Sequence, residues 1–277
     1  MKILSGKNIS EKILLDIKEK ISSCVNKPGL GVILVGDDEA SKIYVSIKER
    51  RAKEIGMNFK KVLLNKMVST EEILNEIKKL NVDDSISGII VQMPLPEHID
   101  KERIINEIDL NKDADGFKKE TIEKMKSGYK ENIPVFPEAI IELVRYGMED
   151  LTNKKAKILV RSNYFGETLK SALSLYGVHG EVFILSKDIF EERFVKDADI
   201  VISALGIPNF VKASELREGA IFIDGGISKL DGRVVGDLNL NGAESKNIII
   251  SSVPGGVGPV TVSCLLRRVF ILSKCNS

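Results

Sequence analysis

The chain has 277 residues, 43% of them hydrophobic, and its 41 lysines and arginines nearly balance 40 aspartates and glutamates, which leaves a net charge of +1. A chain of this length can bury one large or two modest cores, whereas the balanced charge excludes the strong field by which nucleic-acid-binding and membrane-binding proteins attract their partners. No apolar run in the sequence approaches the roughly 20 residues of a membrane span. The three cysteines, Cys24, Cys264 and Cys275, lack a CxxC spacing, and the two histidines lie far apart. These features predict a cytoplasmic protein in a reducing compartment, with no metal site and no nucleic-acid or membrane partner.

Helical and strand patterns alternate in the first half of the chain. Apolar residues at 3.6-residue spacing predict a first helix with Ser10 as its N-cap. Asp38 is in position to cap a second helix that ends near Gly56, and Ser69 with Glu72 matches the capping box of a third. Short apolar runs predict two buried strands: Leu30–Val35 and Gly88–Val91.

A second series of strands and helices begins after about residue 130. Its apolar runs alternate little, which is typical of parallel strands covered on both faces. We therefore predict an α/β fold of two domains. The first is an N-terminal α/β catalytic domain of residues 1–132 plus 259–277, to which a C-terminal helix from about Thr261 returns; the second is a Rossmann-like doubly wound dinucleotide-binding domain of residues 133–258. The runs are Ile158–Val160, Val182–Leu185, Ile200–Ile202, Ala220–Ile223 and Ile248–Ile250.

A tyrosine and a lysine lie four residues apart in the second predicted helix, as Tyr44 and Lys48 of the segment ASKIYVSIK. Residues at this spacing share one helix face, so the ring can stack on an aromatic ligand while the ammonium group donates protons to it. An amphipathic helix with a solvated lysine has the same pattern and is the alternative.

Two polar side chains follow strand-like segments. Gln92 leaves the strand 88–91 at its carboxyl end, directly before a Pro-x-Pro, where its amide can bond a ligand or the neutral form of a lysine and so lower the pKa of that lysine. Asp115, in KDADGF, can accept paired hydrogen bonds from the N–H groups of a heterocycle. The alternatives are a simple strand terminator for Gln92 and an ordinary Asp-Gly turn for Asp115.

The segment RSNYFG joins a predicted strand to a helix, which is where a doubly wound sheet binds the phosphates of a dinucleotide. Val160 and Ser162 occupy the first two positions of the glycine fingerprint, of which only Gly166 is present. Arg161 supplies a guanidinium suited to phosphate. A purely structural loop is the alternative.

The same region bears on the choice of cofactor. Lys187 follows the next predicted strand, where the adenosine ribose would lie, and Asp188 is close to it. Cations at this place favour a 2′-phosphate, so Arg161 and Lys187 together predict NADP over NAD.

A glycine-rich loop, SSVPGGVGPVT, follows the last apolar run. Gly255, Gly256 and Gly258 stand between Pro254 and Pro259. Because glycine has no Cβ and tolerates positive φ, a ligand can lie directly on the main-chain N–H groups of such a loop. A tight structural turn between strand and helix is the alternative.

Taken together, these segments resemble the methylenetetrahydrofolate dehydrogenase/methenyltetrahydrofolate cyclohydrolase family. The matching pieces occur in the family's order over nearly the whole chain: ASKIYVSIK, VQMPLP, KDADGF, the RSNYFG loop, GAIFIDGGI followed by VVGDLNL, and SVPGGVGPVT. The resemblance implies a homodimer whose two domains enclose a cleft, a tetrahydrofolate-type substrate and NADP as cofactor. It also implies two reactions: oxidation of 5,10-methylenetetrahydrofolate to 5,10-methenyltetrahydrofolate, then hydrolysis to 10-formyltetrahydrofolate.

The resemblance also assigns roles to residues. Lys48 would be the acid/base residue of the hydrolysis, Gln92 would tune it, Asp115 would hold the pterin, and Tyr44 would stack on the aminobenzoyl ring; these four form the implied catalytic set. The implied substrate site also includes Val91, Met93, Pro254, Gly255, Gly256, Val257 and Gly258. The implied cofactor site comprises Val160, Arg161, Ser162, Gly166, Lys187 and Ile227.

The chain departs from the family pattern on the dinucleotide side. Phe136 stands where the family has a small polar residue, Val160 where it has glycine, Thr168 where it commonly has proline, and Leu185-Ser186 where it usually has Cys-His. Bulk at Val160 and Tyr164 predicts weaker dinucleotide binding, with folate binding less affected. The alternative functions are a cyclohydrolase with weak, NAD-dependent or lost dehydrogenase activity and a catalytically silent folate-binding protein.

Overall fold

The structure, a computed structural model, describes residues 1–185, 191–243, 246–273 and 275. The chain packs into two compact units, which we name by their sheets. The three-stranded unit comprises residues 11–127, 131–135 and 262–277, and the six-stranded unit comprises residues 1–10, 128–130 and 136–261. The predicted α/β fold with two domains is confirmed. Its predicted ranges, 1–132 plus 259–277 and 133–258, differ from the two units chiefly at residues 1–10.

The described residues form thirteen strands and eight α-helices. The strands are β1 Lys2–Leu4, β2 Gly29–Val35, β3 Asn58–Leu64, β4 Gly88–Val91, β5 Lys155–Val160, β6 His179–Ile184, β7 Ile200–Ala204, β8 Val211–Lys212, β9 Ile221–Asp224, β10 Ser228–Leu230, β11 Arg233–Val235, β12 Leu238–Asn239 and β13 Ile249–Ser251. The helices are α1 Gly6–Ser22, α2 Glu39–Glu54, α3 Thr70–Asn81, α4 Lys101–Glu107, α5 Lys119–Lys126, α6 Val135–Gly147, α7 Asn163–Ser174 and α8 Val257–Leu272.

The three-stranded unit is built on a parallel sheet in the order β3-β2-β4. Every residue of the central strand β2 is buried, as its unalternating apolar sequence predicts. An isolated parallel bridge between Ile89 and Asp113 places the segment around Asp113 beside β4, next to the edge of the sheet. The carboxyl ends of β4 and of this bridged segment therefore lie at the same edge of the sheet.

The six-stranded unit contains a wholly parallel sheet in the order β1-β13-β9-β7-β5-β6. Its core includes the fully buried residues Leu159, Val201 and Phe222. From β5 the chain crosses to β6 on one side and then returns to β7 on the other side of β5. This reversal creates a crevice at the carboxyl ends of β5 and β7, the place where open α/β sheets bind their ligands.

Several predicted element boundaries are confirmed and others are wrong. Asp38 caps α2 by accepting a hydrogen bond from Ser41 N at 2.7 Å, and the capping box of Ser69 and Glu72 is present at α3. Ser10, in contrast, lies inside α1, because the helix begins at Gly6, whose N–H donates to Gly255 O at 2.9 Å.

Strand and helix ends in the six-stranded unit also differ from prediction. β1 belongs to this unit because Lys2–Leu4 pairs in register with Ile249–Ser251. α8 begins at Val257 rather than near Thr261. β6, predicted as covered on both faces, alternates between partly buried and exposed residues, since it lies at the edge of the sheet.

Two of the cysteines are joined, a pairing that the cysteine count and spacing did not indicate. Cys24 and Cys275 form a disulfide with their Cα atoms 5.5 Å apart, and Cys264 is buried with a free thiol. Among the helices of the described residues, none is both long and apolar enough to cross a membrane.

Candidate active site

Helix α2 presents the tyrosine and lysine that the sequence singled out. Its start is fixed by the Asp38 cap, and Tyr44 and Lys48 follow one turn apart on the same face. Both side chains are half-buried, whereas their neighbours Ile43 and Ser46 are exposed. The solvated-lysine alternative for Lys48 is therefore wrong.

Lys48 is held by the amide that leaves β4. Its Nζ donates a hydrogen bond to Gln92 Oε1 at 2.8 Å. The amide of Gln92 is oriented in turn, since its Nε2 donates to Met93 O at 2.7 Å and its main-chain N donates to Ile33 O at 2.9 Å. Gln92 thus directs an acceptor oxygen at the ammonium group from the carboxyl edge of the sheet.

The pKa of Lys48 lies below its ordinary value, and the cause is burial. Asp115 acts in the opposite direction, because its negative charge raises the pKa of Lys48. Burial likewise raises the pKa of Asp115 to about 6, with the charge of Lys48 lowering it and the nearby Asp113 raising it. The lowered lysine pKa matches the sequence-based expectation, but desolvation produces it. The hydrogen bond that Lys48 donates to Gln92 does not, because an accepting amide oxygen stabilises the charged ammonium form.

The loop that carries Asp115 is fixed by a buried carboxylate. Asp113 accepts hydrogen bonds from Gly116 N at 3.0 Å, Lys118 N at 3.1 Å and Thr121 Oγ1 at 2.7 Å. Gly116 has φ +80°, and a Cβ there would lie 2.9 Å from the Cα of Pro134, so a glycine is required at this turn. The Asp-Gly turn predicted as an alternative is present, and it serves to hold Asp115.

Sequence reasoning missed Arg268, which supports the same loop from α8. The side chain is only 4% exposed, and its guanidinium donates to the carbonyl oxygens of Asp113 at 2.9 Å, Glu131 at 3.0 Å and Ile133 at 3.2 Å. A charged residue within the otherwise apolar run VSCLLRRVFIL was the available signal, because a buried arginine needs acceptors.

The glycine-rich loop lies in the six-stranded unit and begins α8. Gly255 has φ +97°, and its carbonyl accepts the hydrogen bond from Gly6. Val257 is buried, whereas Pro254 is exposed and Gly258 is partly exposed. The loop therefore has both a structural role, at the start of α1, and backbone accessible to a ligand.

The segment after β5 forms the N-terminus of α7 at the switch point. Ser162 is the N-cap and accepts a hydrogen bond from Phe165 N at 3.3 Å, and Arg161 is exposed beside it. Gly166 is buried, and a Cβ there would overlap Val182. Because glycine has no Cβ, α7 can lie close against the sheet. These features suit a dinucleotide phosphate, whose charge is stabilised by helix N–H groups and the helix dipole.

Some residues predicted to contact ligands are buried instead. Val160 is fully buried at the end of β5, so its side chain faces the core and adds no bulk at a cofactor. Gly166 acts through helix packing, and Val91 packs into the core of the three-stranded unit. Ile227, at 53% exposed, and Met93, at 40%, are accessible.

The remaining predicted residue, Lys187, lies outside the described residues, as does Asp188. The described part of the chain therefore supplies Arg161 as the cation beside the α7 N-terminus.

A doubly wound sheet with an accessible helix N-terminus in one unit, and a lysine of lowered pKa in the other, together define an α/β enzyme with an NAD(P)-binding domain. The chain belongs to the tetrahydrofolate dehydrogenase/cyclohydrolase family. Residues 4–115 match the model of the catalytic domain of tetrahydrofolate dehydrogenase/cyclohydrolase, and residues 134–277 match that of its NAD(P)-binding domain.

Full-length relatives agree with this assignment. The chain is 37% identical over 281 residues to the bifunctional protein FolD of Acetivibrio thermocellus, with 100% of this chain and 98% of the relative covered. The crystal structure of the bifunctional enzyme FolD, methylenetetrahydrofolate dehydrogenase/cyclohydrolase, from Campylobacter jejuni superposes with a TM-score of 0.92 at 34% identity, with both chains covered completely. The Trypanosoma brucei enzyme complexed with NADP cofactor and inhibitor gives 0.89 at 28% identity, covering 98% of this chain and 96% of that one.

Proposed function

We propose that this protein oxidises 5,10-methylenetetrahydrofolate to 5,10-methenyltetrahydrofolate with NADP and then hydrolyses the product to 10-formyltetrahydrofolate. The observation that carries the proposal is the half-buried Lys48, with its lowered pKa, bonded to Gln92 and influenced by the charge of Asp115. Mere binding of a folate does not require a tuned lysine, so this arrangement favours an enzyme over a silent binding protein.

The hydrolysis uses Lys48 as acid and base. The methenyl carbon is cationic, so a neutral amine beside it is favoured over an ammonium group. Water forms a C–O bond to that carbon and loses a proton to Lys48; the C–N5 bond then breaks as N5 takes a proton, and loss of the hydroxyl proton leaves the formyl group. One proton is released overall. Positioned proton transfer of this kind typically contributes about 10²–10⁴ in rate.

Folate recognition is assigned to the residues around Lys48. Asp115, anchored through the Asp113 loop, would accept from the N–H groups of the pterin, and Tyr44 would stack on the aminobenzoyl ring. Within the three-stranded unit the exposed Met93 is proposed as a further folate contact, and within the six-stranded unit the accessible main chain from Pro254 to Gly258 is proposed to bind folate.

The dinucleotide is assigned to the carboxyl edge of the six-stranded sheet. The Ser162 cap, the α7 N-terminus and the exposed Arg161 fit a phosphate-bearing cofactor, and Ile227 lies exposed after β9. When bound, the nicotinamide ring accepts the hydride from the methylene carbon. The match to an NAD(P)-binding domain does not decide between NADP and NAD. Arg161 favours the 2′-phosphate and hence NADP.

A cyclohydrolase with weak, NAD-dependent or lost dehydrogenase activity is the second candidate. The departures at Phe136 and Thr168 favour it, because both lie in the six-stranded unit. Following nucleotide reduction and methenyl-folate absorbance in one cuvette, with NADP and with NAD, separates the candidates. With methylene-folate we expect NADP-dependent reduction, and with methenyl-folate we expect decay of the methenyl band. Decay of supplied methenyl-folate without any nucleotide reduction would show a cyclohydrolase alone. Absence of both signals would show a silent protein.

The proposal includes a cytoplasmic homodimer. The family resemblance supports two copies, and the balanced charge is compatible with a protein of the cytoplasm. Analytical ultracentrifugation of the purified chain tests the oligomeric state, for which we expect twice the chain mass of 30.6 kDa.

A further inference from the structure

A buried carboxylate holds the loop that follows β7. Asp237 is fully buried, and its Oδ2 accepts hydrogen bonds from Ser203 Oγ at 2.6 Å, Leu205 N at 2.8 Å and Gly206 N at 3.3 Å. Its Oδ1 accepts from Ile207 N at 2.8 Å. Gly206 has φ +64°, so three successive N–H groups turn toward one anion. Such a nest commonly binds a ligand phosphate; in this chain its own carboxylate fills it.

A second buried carboxylate fixes Asp237. Asp224, at the end of β9, accepts from Asp237 N at 3.1 Å, Gly226 N at 3.0 Å and Leu238 N at 3.0 Å. A Cβ on Gly226 would overlap the carboxylate of Asp237, and one on Gly236 would overlap that of Asp224. The segments after β7, β9 and β11 are thus joined by two carboxylates with little room for movement.

The loop 205–207 lies beside the switch point of the sheet. Leu159 pairs with Ser203 and Val160 with Ala204, so the segments that follow, Arg161 and the loop 205–207, leave neighbouring strands at the same edge. Because the N–H groups of the loop are already bonded to Asp237, they are unavailable to a dinucleotide phosphate. The loop is therefore left to line the crevice, and a dinucleotide phosphate is assigned to the N-terminus of α7.

Resting on the proposed function, we propose that Asp237 is a positioning residue for the dinucleotide. Its carboxylate fixes loop 205–207 in the conformation that lines the crevice at the carboxyl ends of β5 and β7. Asparagine cannot replace it. Both carboxylate oxygens accept from backbone N–H groups, so either orientation of an amide would place its NH₂ group against at least one of these donors.

The test compares Asp237→Asn with Asp199→Asn. Asp199 provides a matched control because it is a carboxylate of the same unit that accepts from Lys155 N and Arg217 Nη1, at the amino end of β7. We expect Asp237→Asn to raise the Kd for NADP, measured by calorimetry, and the KM for NADP by at least about tenfold. The kcat at saturating NADP and the cyclohydrolase rate without dinucleotide should stay within about threefold of the unaltered protein, and Asp199→Asn should leave the Kd unchanged.

Ser203→Ala keeps the proposal testable if Asp237→Asn does not fold. It removes one bond to the carboxylate and should raise the Kd in the same direction by a smaller factor. An unchanged Kd in a folded Asp237→Asn protein, or in Ser203→Ala where that is the variant available, would overturn the positioning role. So would an equal loss of NADP affinity and cyclohydrolase rate, since that pattern reports general damage. An unaltered protein that hydrolyses methenyl-folate but binds no NADP would refute the dinucleotide part of the proposed function itself.

Discussion

At the scale of single residues, two opposing effects set the pKa of Lys48. Burial lowers it, and the negative charge of Asp115 raises it. Above pH 6 or so Asp115 is ionised, because its own pKa is about 6. The charge of one residue therefore tunes the proton affinity of the other over the range in which the hydrolysis is measured.

We predict that Asp115→Asn moves the pH profile of the cyclohydrolase. Loss of the negative charge lowers the lysine pKa further, so more of Lys48 is neutral at a given pH and the limb of kcat that reports Lys48 shifts to lower pH. Both activities should also show weaker folate binding, by roughly 1.5–3 kcal/mol for one charge-assisted contact. Asp84→Asn, at an exposed carboxylate of the same unit, is the control. A limb that stays in place or moves to higher pH would contradict the coupling.

Residue roles were predictable from the sequence where they depend on a motif, and not where they depend on packing. Tyr44, Lys48, Gln92 and Asp115 were singled out by helix spacing and by their places after strand-like segments, and the family resemblance then assigned their roles. Burial as the cause of the lysine pKa was not predictable, since burial depends on tertiary packing that no local sequence pattern displays.

At the scale of elements, α8 supports the site by placing Arg268 beneath the loop of Asp113. We predict that Arg268→Met destabilises the protein by roughly 3–5 kcal/mol, because it leaves the buried carbonyl oxygens of Asp113 and Ile133, and the part-buried one of Glu131, without their charged donor. Urea unfolding measures the loss. The neighbouring Arg267→Met should cost far less, since the half-buried Arg267 makes a 3.7 Å contact with the sulfur of Cys264. Equal costs for the two variants would show that the carbonyl contacts do not matter.

The packing of α7 on β5 and β6 reverses one expectation from the sequence. The sequence predicts that bulk at Val160 weakens dinucleotide binding, but the Val160 side chain is fully buried beneath α7. We predict that Val160→Gly lowers the free energy of unfolding by roughly 2–4 kcal/mol, because it leaves a cavity and makes the unfolded chain more flexible, and that it does not tighten NADP binding. Tyr164→Ser, at a side chain that is 57% exposed, is the comparison. Tighter NADP binding by Val160→Gly would restore the original interpretation.

Local signals allowed some elements to be predicted, and distant pairing hid others. The Asp38 cap and the Ser69–Glu72 box depend on residues three apart, so the sequence displays them directly. β1 has only three residues and its partner is β13, near the other end of the chain, so no local pattern reveals its sheet. The start of α1 at Gly6 likewise depends on the glycine-rich loop.

At the scale of the whole molecule, the proposed dinucleotide binding and the proposed acid/base chemistry are assigned to different units. The proposed phosphate site lies in the six-stranded unit, so we predict that Arg161→Ala weakens NADP binding by about 10–100-fold, with little effect on NAD. Calorimetric titration of both nucleotides measures this, with Arg217→Ala, whose guanidinium is paired with Asp199, as the control. If Arg161→Ala leaves the difference between the Kd values for NADP and NAD unchanged, Arg161 is not the source of the NADP preference.

The acid/base role of Lys48 is the central claim, and Lys48→Met tests it most directly. Both activities are measured on the purified variant, beside Lys42→Met, which alters an exposed lysine of the same helix. Because only the hydrolysis requires a proton shuttle at the folate carbon, we expect Lys48→Met to lose the cyclohydrolase activity while it retains measurable hydride transfer to NADP. A Lys48→Met protein that hydrolyses methenyl-folate at the unaltered rate would contradict the account.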